Sequence, residues 1–175
     1  MIGVESIGTN DGSIIPSAVS FSTRVYGYTV CYRYTGDRRY LDQARRIAGM
    51  IIREVKTDDA IPYWDYDAAG IPDEPRDASA AAITASALLE LQGMVESHDS
   101  QMFTAYAERI LHALSSKNYL ASAGENGFFI LKHSTGAAPF NSEVDVPLIY
   151  ADYYFLEAIQ RYASLKGIDT QTLKP

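Results

Sequence analysis

One cysteine, one tryptophan and three histidines in 175 residues leave little room for several chemistries. A single thiol, Cys31, forms no internal disulfide and no cysteine-rich metal site. It lies between Val30 and Tyr32, where a buried, inert thiol is expected. His98, His112 and His133 show no ligand spacing, so no metal is expected. Basic residues are also scarce: 15 Lys and Arg face 22 Asp and Glu, for a formal net charge of −7. That balance argues against general nucleic-acid binding, which needs a basic surface to displace counterions. A local basic pocket for an acidic small molecule is compatible with it. No run approaches the roughly 20 apolar residues of a membrane span. Met1 to Ile15 has neither a basic start nor an apolar stretch, so no signal peptide is visible. The compartment stays open between cytoplasm and periplasm.

What the chain holds in quantity is apolar residues, 47%, and tyrosine, 13 beside six phenylalanines. The apolar share suits a globular core, and the length suits one domain or a piece of a larger one. Tyrosine joins an apolar ring to a hydroxyl, which fits walls packed on one side and wet on the other, as in a carbohydrate cleft. A tyrosine-rich helical core is the other reading of that count.

The hydrophobic pattern predicts helices in alternation. From Asp37 to Lys56, Tyr40, Leu41, Ala44, Ile47, Ala48, Ile51, Ile52 and Val55 make one apolar face, with charges opposite. From Gln101 to Ser115, Met102, Phe103, Tyr106, Ala107, Ile110, Leu111 and Leu114 do the same, with Asp99 or Ser100 as cap. The segments Ala78 to Val95 and Val146 to Leu165 are apolar on most sides, which marks helices covered all round. Asp37, Asp77 and Asp145 stand where N-caps belong, and Pro147 fits a first turn. A further helix spans roughly Ala18 to Tyr34. An inner ring wrapped by an outer ring produces this order. A faint repeat agrees: Tyr40, Ala44, Arg46 and Ile47 match Phe103, Ala107, Arg109 and Ile110 at an offset of 63, and Arg33-Tyr34 matches Arg161-Tyr162. Two long connections, Thr57 to Arg76 and Tyr119 to Glu143, interrupt the helices. Loops of ~20 residues in a compact domain are often functional. Phe128 to Leu131 is expected as a short strand.

From about Tyr26 onward an ordered set of motifs appears. It runs through Tyr26-Gly-Tyr, Tyr32-Arg-Tyr-Thr-Gly-Asp, Tyr40-Leu and Ala44-Arg-Arg. Ile61-Pro-Tyr-Trp-Asp-Tyr-Asp, Ile71-Pro-Asp-Glu-Pro-Arg-Asp and Ser79-Ala-Ala-Ala-Ile follow, then Leu89-Glu-Leu and Leu131-Lys-His-Ser-Thr-Gly. Asn141-Ser-Glu-Val-Asp-Val-Pro-Leu-Ile-Tyr-Ala-Asp-Tyr-Tyr-Phe-Leu-Glu-Ala completes it. This set resembles the C-terminal half of the unsaturated glucuronyl hydrolases, glycoside hydrolase family 88. The resemblance implies an all-α fold, part of an (α/α)6 toroid with alternating inner and outer helices, and no cofactor. It implies hydrolysis of oligosaccharides that carry a 4,5-unsaturated uronate, by hydration of the vinyl ether with an Asp as general acid and base. It divides the chain into an atypical N-terminal segment, 1–24, a toroid part, 25–167, and a tail, 168–175. The family's essential aspartates lie in its N-terminal half, so none here takes that role by motif, and the isolated chain is expected to be inactive. Ser17-Ala-Val-Ser-Phe-Ser-Thr stands where the family has a Trp-Ala-Arg-Gly-Gln-Ala-Trp-like run, and the match stops abruptly near Val25. A truncated or frameshifted gene is expected from that edge, with an N-terminal half or second chain as the partner that completes the toroid. A related unsaturated rhamnogalacturonyl hydrolase and a non-catalytic helical binding module are the alternatives.

Candidate substrate contacts follow from residue chemistry. Lys132, His133 and Ser134 offer a cation, an imidazole and a hydroxyl to a uronate carboxylate on a loop with Gly136 close by. Tyr150 and Tyr153 begin the last inner helix, where they stack on or hydrogen-bond a sugar; Asp152 beside them reads as a structural pairing. Trp64 with Asp65 and Asp67 is an aromatic beside carboxylates, a combination suited to sugars or to bracing the loop.

Overall fold

The computed structural model describes residues 17–169. Residues 1–16 of the atypical segment and 170–175 of the tail lie outside the described residues. Five α-helices carry the fold: α1 (Ala18–Thr35), α2 (Arg38–Glu54), α3 (Ala78–Leu91), α4 (Ser97–Leu114) and α5 (Ile149–Leu165). Helices α1, α3 and α5 pack side by side with α3 in the middle; α2 lies against α1, and α4 against α3. The expected inner and outer layers are both present.

Local chemistry sets the helix ends. Asp37 caps α2 by accepting from the Arg39 amide at 3.0 Å, and Gly36 closes α1 in the left-handed region at φ 67°. Ser17 begins α1, and the Ala18 amide donates to the Trp64 carbonyl at 2.8 Å. Three expectations at helix starts are corrected, one of them Pro147, which lies ahead of the first turn of α5. Helix α4 begins at Ser97, ahead of Asp99 and Ser100, with no side-chain cap. Helix α5 begins at Ile149, and Asp145 bonds His133 instead of capping it. Asp145 sits at φ 52° and Val146 pairs with Ser134, so the chain stays extended through Leu148. Phe128 to Leu131 forms no strand; Phe128 lies at φ 70°, and pairing shrinks to one bridge between Leu120 and Leu131.

Helix α3 is buried from Ala78 to Leu89, as its apolar run implied. Its six alanines let the neighbouring helices approach closely. Leu88, Phe103, Ile110 and Leu114 are almost wholly enclosed, each contributing about 1.5–3 kcal/mol of burial. Helix α5 is covered on one side only: Ile149, Tyr153, Leu156 and Ile159 form an exposed apolar stripe, as a partial toroid implies. Cys31 is also exposed, against the expected buried thiol, because its place on α1 faces outward. The repeat has a physical counterpart. Arg33 and Arg161 meet one carboxylate, Glu90, at 2.9 and 2.6 Å. Arg161 also reaches Glu157 at 3.3 Å and the Ser86 hydroxyl at 2.8 Å, so one ionic cluster joins α1, α3 and α5.

Candidate functional site

Both long connections lead from an outer helix to an inner one, which brings them to one end of the molecule. The Ala18 amide bonds Trp64 in the first connection, and the Ala78 amide bonds the His133 carbonyl in the second at 2.9 Å. The first turns of α1, α3 and α5 therefore share this end. Asp77 holds the two connections together there. One of its oxygens accepts from the amides of Ser79 (3.0 Å), Ala80 (3.2 Å) and Thr135 (3.3 Å) and from the Ser79 hydroxyl (2.5 Å). Complete burial pushes its carboxyl up to about 6.

Two cavities open at this end. The first is a broad basin of about 670 Å³ between Arg76, Lys117, Tyr119, Lys132, His133 and Asp145. Its charges are mixed, because Asp73 and Glu74 also line it. Lys132 Nζ donates to the Lys117 carbonyl at 2.8 Å. His133 Nδ1 lies 2.6 Å from Asp145 Oδ1, with the His133 ring edge-on to Tyr119. His133 and Asp145 both adopt left-handed backbone, φ 63° and 52°, a costly geometry held by the paired amides and carbonyls of Ser134 and Val146 at 3.0 and 2.9 Å. Beneath them, Tyr119 donates to Asp59 at 2.9 Å, and burial beside that carboxylate raises the phenol above its ordinary range.

The second cavity is a slot of about 50 Å³ between Trp64, Thr135, Gly136 and the Ala137–Phe140 turn. It has room for one ring substituent, while Trp64 and the 68% exposed Phe140 offer aromatic surface at its mouth. The indole N–H of Trp64 donates to Glu74 at 2.8 Å. The Asp145 amide donates to the Thr135 hydroxyl at 3.3 Å. Slot and basin thus share a hydrogen-bonded wall.

The six sequence-predicted contacts separate into distinct places. Trp64 lines the slot; Lys132 and His133 line the basin. Ser134 is sealed at 0% exposure beneath them, out of a ligand's reach. Tyr150 stands beside Gly136 but lines neither cavity, and burial pushes its hydroxyl up to about 12. Tyr153 lies on the exposed stripe of α5, edge-on to Tyr154, and borders neither cavity. Asp152 braces the structure as expected, accepting from the Ile130 and Leu131 amides at 2.8 and 2.9 Å. Thr135, Gly136, Phe140 and Glu143 escaped the sequence reading. No short-range pattern marks them, since they reach the site only when both connections fold together.

Comparison with known proteins gives this geometry its context. No family model matches the chain. The unsaturated glucuronyl hydrolase of Formosa agariphila is 45% identical over 142 residues, 81% of this chain and 35% of that protein. The chain is a relative of the unsaturated glucuronyl hydrolases. The enzyme of that name from Bacillus sp. strain GL1 is 33% identical over 156 residues, 88% of this chain and 40% of its own length. A crystal structure of an unsaturated glucuronyl hydrolase specific for heparin superposes with a TM-score of 0.83 at 50% identity, covering 87% of this chain and 41% of that one. The chain thus spans about two fifths of the length of the relatives it matches. Its five helices correspond to part of the α/α toroid of these hydrolases, which bears out the inner and outer layers.

Proposed function

We propose that this chain supplies part of the substrate cleft of a hydrolase acting on oligosaccharides that end in a 4,5-unsaturated uronate. The observation that carries the reading is the 50% identity, at a TM-score of 0.83, to a hydrolase described as specific for heparin. The indole and benzyl faces at the mouth of the slot suit a sugar ring, which stacks there while one substituent enters the slot and its hydroxyls meet polar groups. In this reading Trp64 and Tyr150 contact the sugar, and Lys132 and His133 attract its anionic groups from the basin. The reaction is hydration of the vinyl ether: a carboxylic acid protonates the C4=C5 bond, water adds at C5, and the hemiketal opens to release the next sugar. Two aspartates at this end are committed elsewhere, Asp77 to backbone amides and Asp152 to the Ile130–Leu131 segment. We assign Trp64, Tyr150, Lys132 and His133 to binding and give neither Asp77 nor Asp152 the proton transfer.

Trp64 is the one tryptophan, so its fluorescence reports on the slot directly. An unsaturated uronate disaccharide is expected to change that emission saturably, and Trp64→Phe to weaken binding measured by calorimetry. Absence of binding by both methods refutes the reading.

A further inference from the structure

Helix α5 has one face that none of the described residues covers. Ile149, Tyr153, Leu156 and Ile159 are exposed on it at 71%, 58%, 47% and 37%. Gln160 and Ser164 are the other exposed positions between Ile149 and Ser164, so none of them is charged. The uncharged face is about 23 Å long, roughly four turns, at 1.5 Å per residue. The outer helix α2 shows the contrast, since Arg38, Arg39, Asp42, Arg46 and Arg53 stand at its exposed positions. A continuous apolar face of this kind marks an interaction site.

The charges of α5 are all used on its covered side. Asp152 accepts from the Ile130 and Leu131 amides, and Arg161 pairs with Glu157 and Glu90. Those three residues are the only charged ones in the helix. On the open side, Ile149, Tyr153, Leu156 and Gln160 follow one another at intervals of four, three and four. That spacing makes a single ridge, the shape that seats in the groove of another helix. The ridge is anchored: the Tyr153 ring packs edge-on against Tyr154 at 5.1 Å, and Tyr154 against Tyr26 of α1 at 4.9 Å.

We infer that the Ile149–Tyr153–Leu156 ridge of α5 is a docking surface for further helices of an α/α toroid, those of a hydrolase that lie outside the matched region. The match covers 35% of the Formosa agariphila protein and 41% of the heparin-specific structure, so helices of the same toroid remain to be placed. Helices α1, α3 and α5 form an arc with α3 in the middle, which leaves α5 at an edge where a closed toroid puts a neighbour. A second copy fits less well, because each copy brings a net charge of −7. A lipid surface wants free basic residues beside the apolar face, and the one on α5, Arg161, is paired. The surface also bears on the site. Helix α5 begins at the end that holds slot and basin, so an element docked along it reaches that end beside Ile149 and Tyr150. The inference holds whichever sugar the cleft takes.

The test compares the isolated chain with a chimera in which it replaces the matched 142 residues of the Formosa agariphila hydrolase. In both, Cys31→Ser removes the native thiol and Leu156→Cys places one on the ridge, whose labelling is read by mass spectrometry. The isolated chain should label as fast as it does in denaturant, and the chimera more slowly by on the order of a hundredfold. Leu156→Glu should leave the urea midpoint of the isolated chain unchanged and lower that of the chimera. Equal labelling in the two proteins, an equal effect of Leu156→Glu, or a chimera that does not fold overturns the docking surface. Labelling of the isolated chain that slows as its concentration rises puts a second copy on the ridge and overturns it as well. Disaccharide binding by the isolated chain tests the carbohydrate reading separately, so the two fail independently.

Discussion

Asparagine at position 77 removes a charge from the interior and keeps an oxygen where three amides converge. The cost of that charge can be worked out. Burial moves the carboxyl of Asp77 from the ordinary 3.8 to about 6, so the folded chain holds this proton more tightly than the unfolded chain does. Between those values the folded state carries more protons, and stability falls as pH rises. The whole loss is present once the pH exceeds the folded value, and amounts to about 3 kcal/mol. About 2 kcal/mol of it falls between pH 4.5 and 7.5. Urea unfolding of the unaltered chain and of Asp77→Asn at both pH values gives a double difference in which the other titrating groups cancel. Urea is chosen because it adds no ionic strength. The asparagine amide nitrogen replaces an oxygen that has no hydrogen-bond partner among the described residues, a cost that is the same at both pH values and cancels too. The expected result is that the unaltered chain loses about 2 kcal/mol more than the variant on going from pH 4.5 to 7.5. A double difference of zero, or a gain, refutes the description of Asp77 as a carboxylate burdened by burial.

Arg161→Met should lower stability by roughly 3 kcal/mol, because it leaves Glu90 and Glu157 facing Ser86 without their shared cation. A loss under about 1 kcal/mol in urea unfolding would show the ionic cluster to be dispensable. Cys31 should react with one equivalent of a disulfide reagent in native buffer as fast as in denaturant, since it faces solvent on α1; marked protection would place other structure over that face.

Much of the helical frame was legible because apolar periodicity reports a buried stripe directly. Ala44 with Ile47 and Ala107 with Ile110, paired by the repeat, do face the core from the two outer helices. Helix α5 shows the limit of that signal. Its sequence is apolar on most sides, yet Ile149, Tyr153 and Leu156 stay exposed, because composition states what a helix can bury and not what lies beside it. Cys31 misled for a related reason: its neighbours Val30 and Tyr32 lie on other sides of the same helix. Asp37 and Asp77 acted as caps, whereas Asp145 found a nearer partner in His133. At the site, Trp64 stood out as an aromatic beside acids. Its indole partner is Glu74, ten residues on, and neither Asp65 nor Asp67. Tyr150 stood out at the start of the last helix, but its meeting with Gly136 and Glu143 was silent, since it depends on a turn closed by left-handed residues that no local motif encodes.

Helix α3 packs against α1, α4 and α5, which meet one another mainly through side chains such as Tyr26 with Glu157 and Tyr162 with Glu108. Its alanines give no side chain that can swing aside to admit water, so the helix opens only when its neighbours leave. Its amides are therefore expected in the slowest class of hydrogen exchange, the one that reports global unfolding. Helix α5, bare along one side, is expected to exchange faster. Cooperativity in this chain thus has an address. It resides in the least chemically decorated segment, through which the helices that carry the slot and basin are packed together.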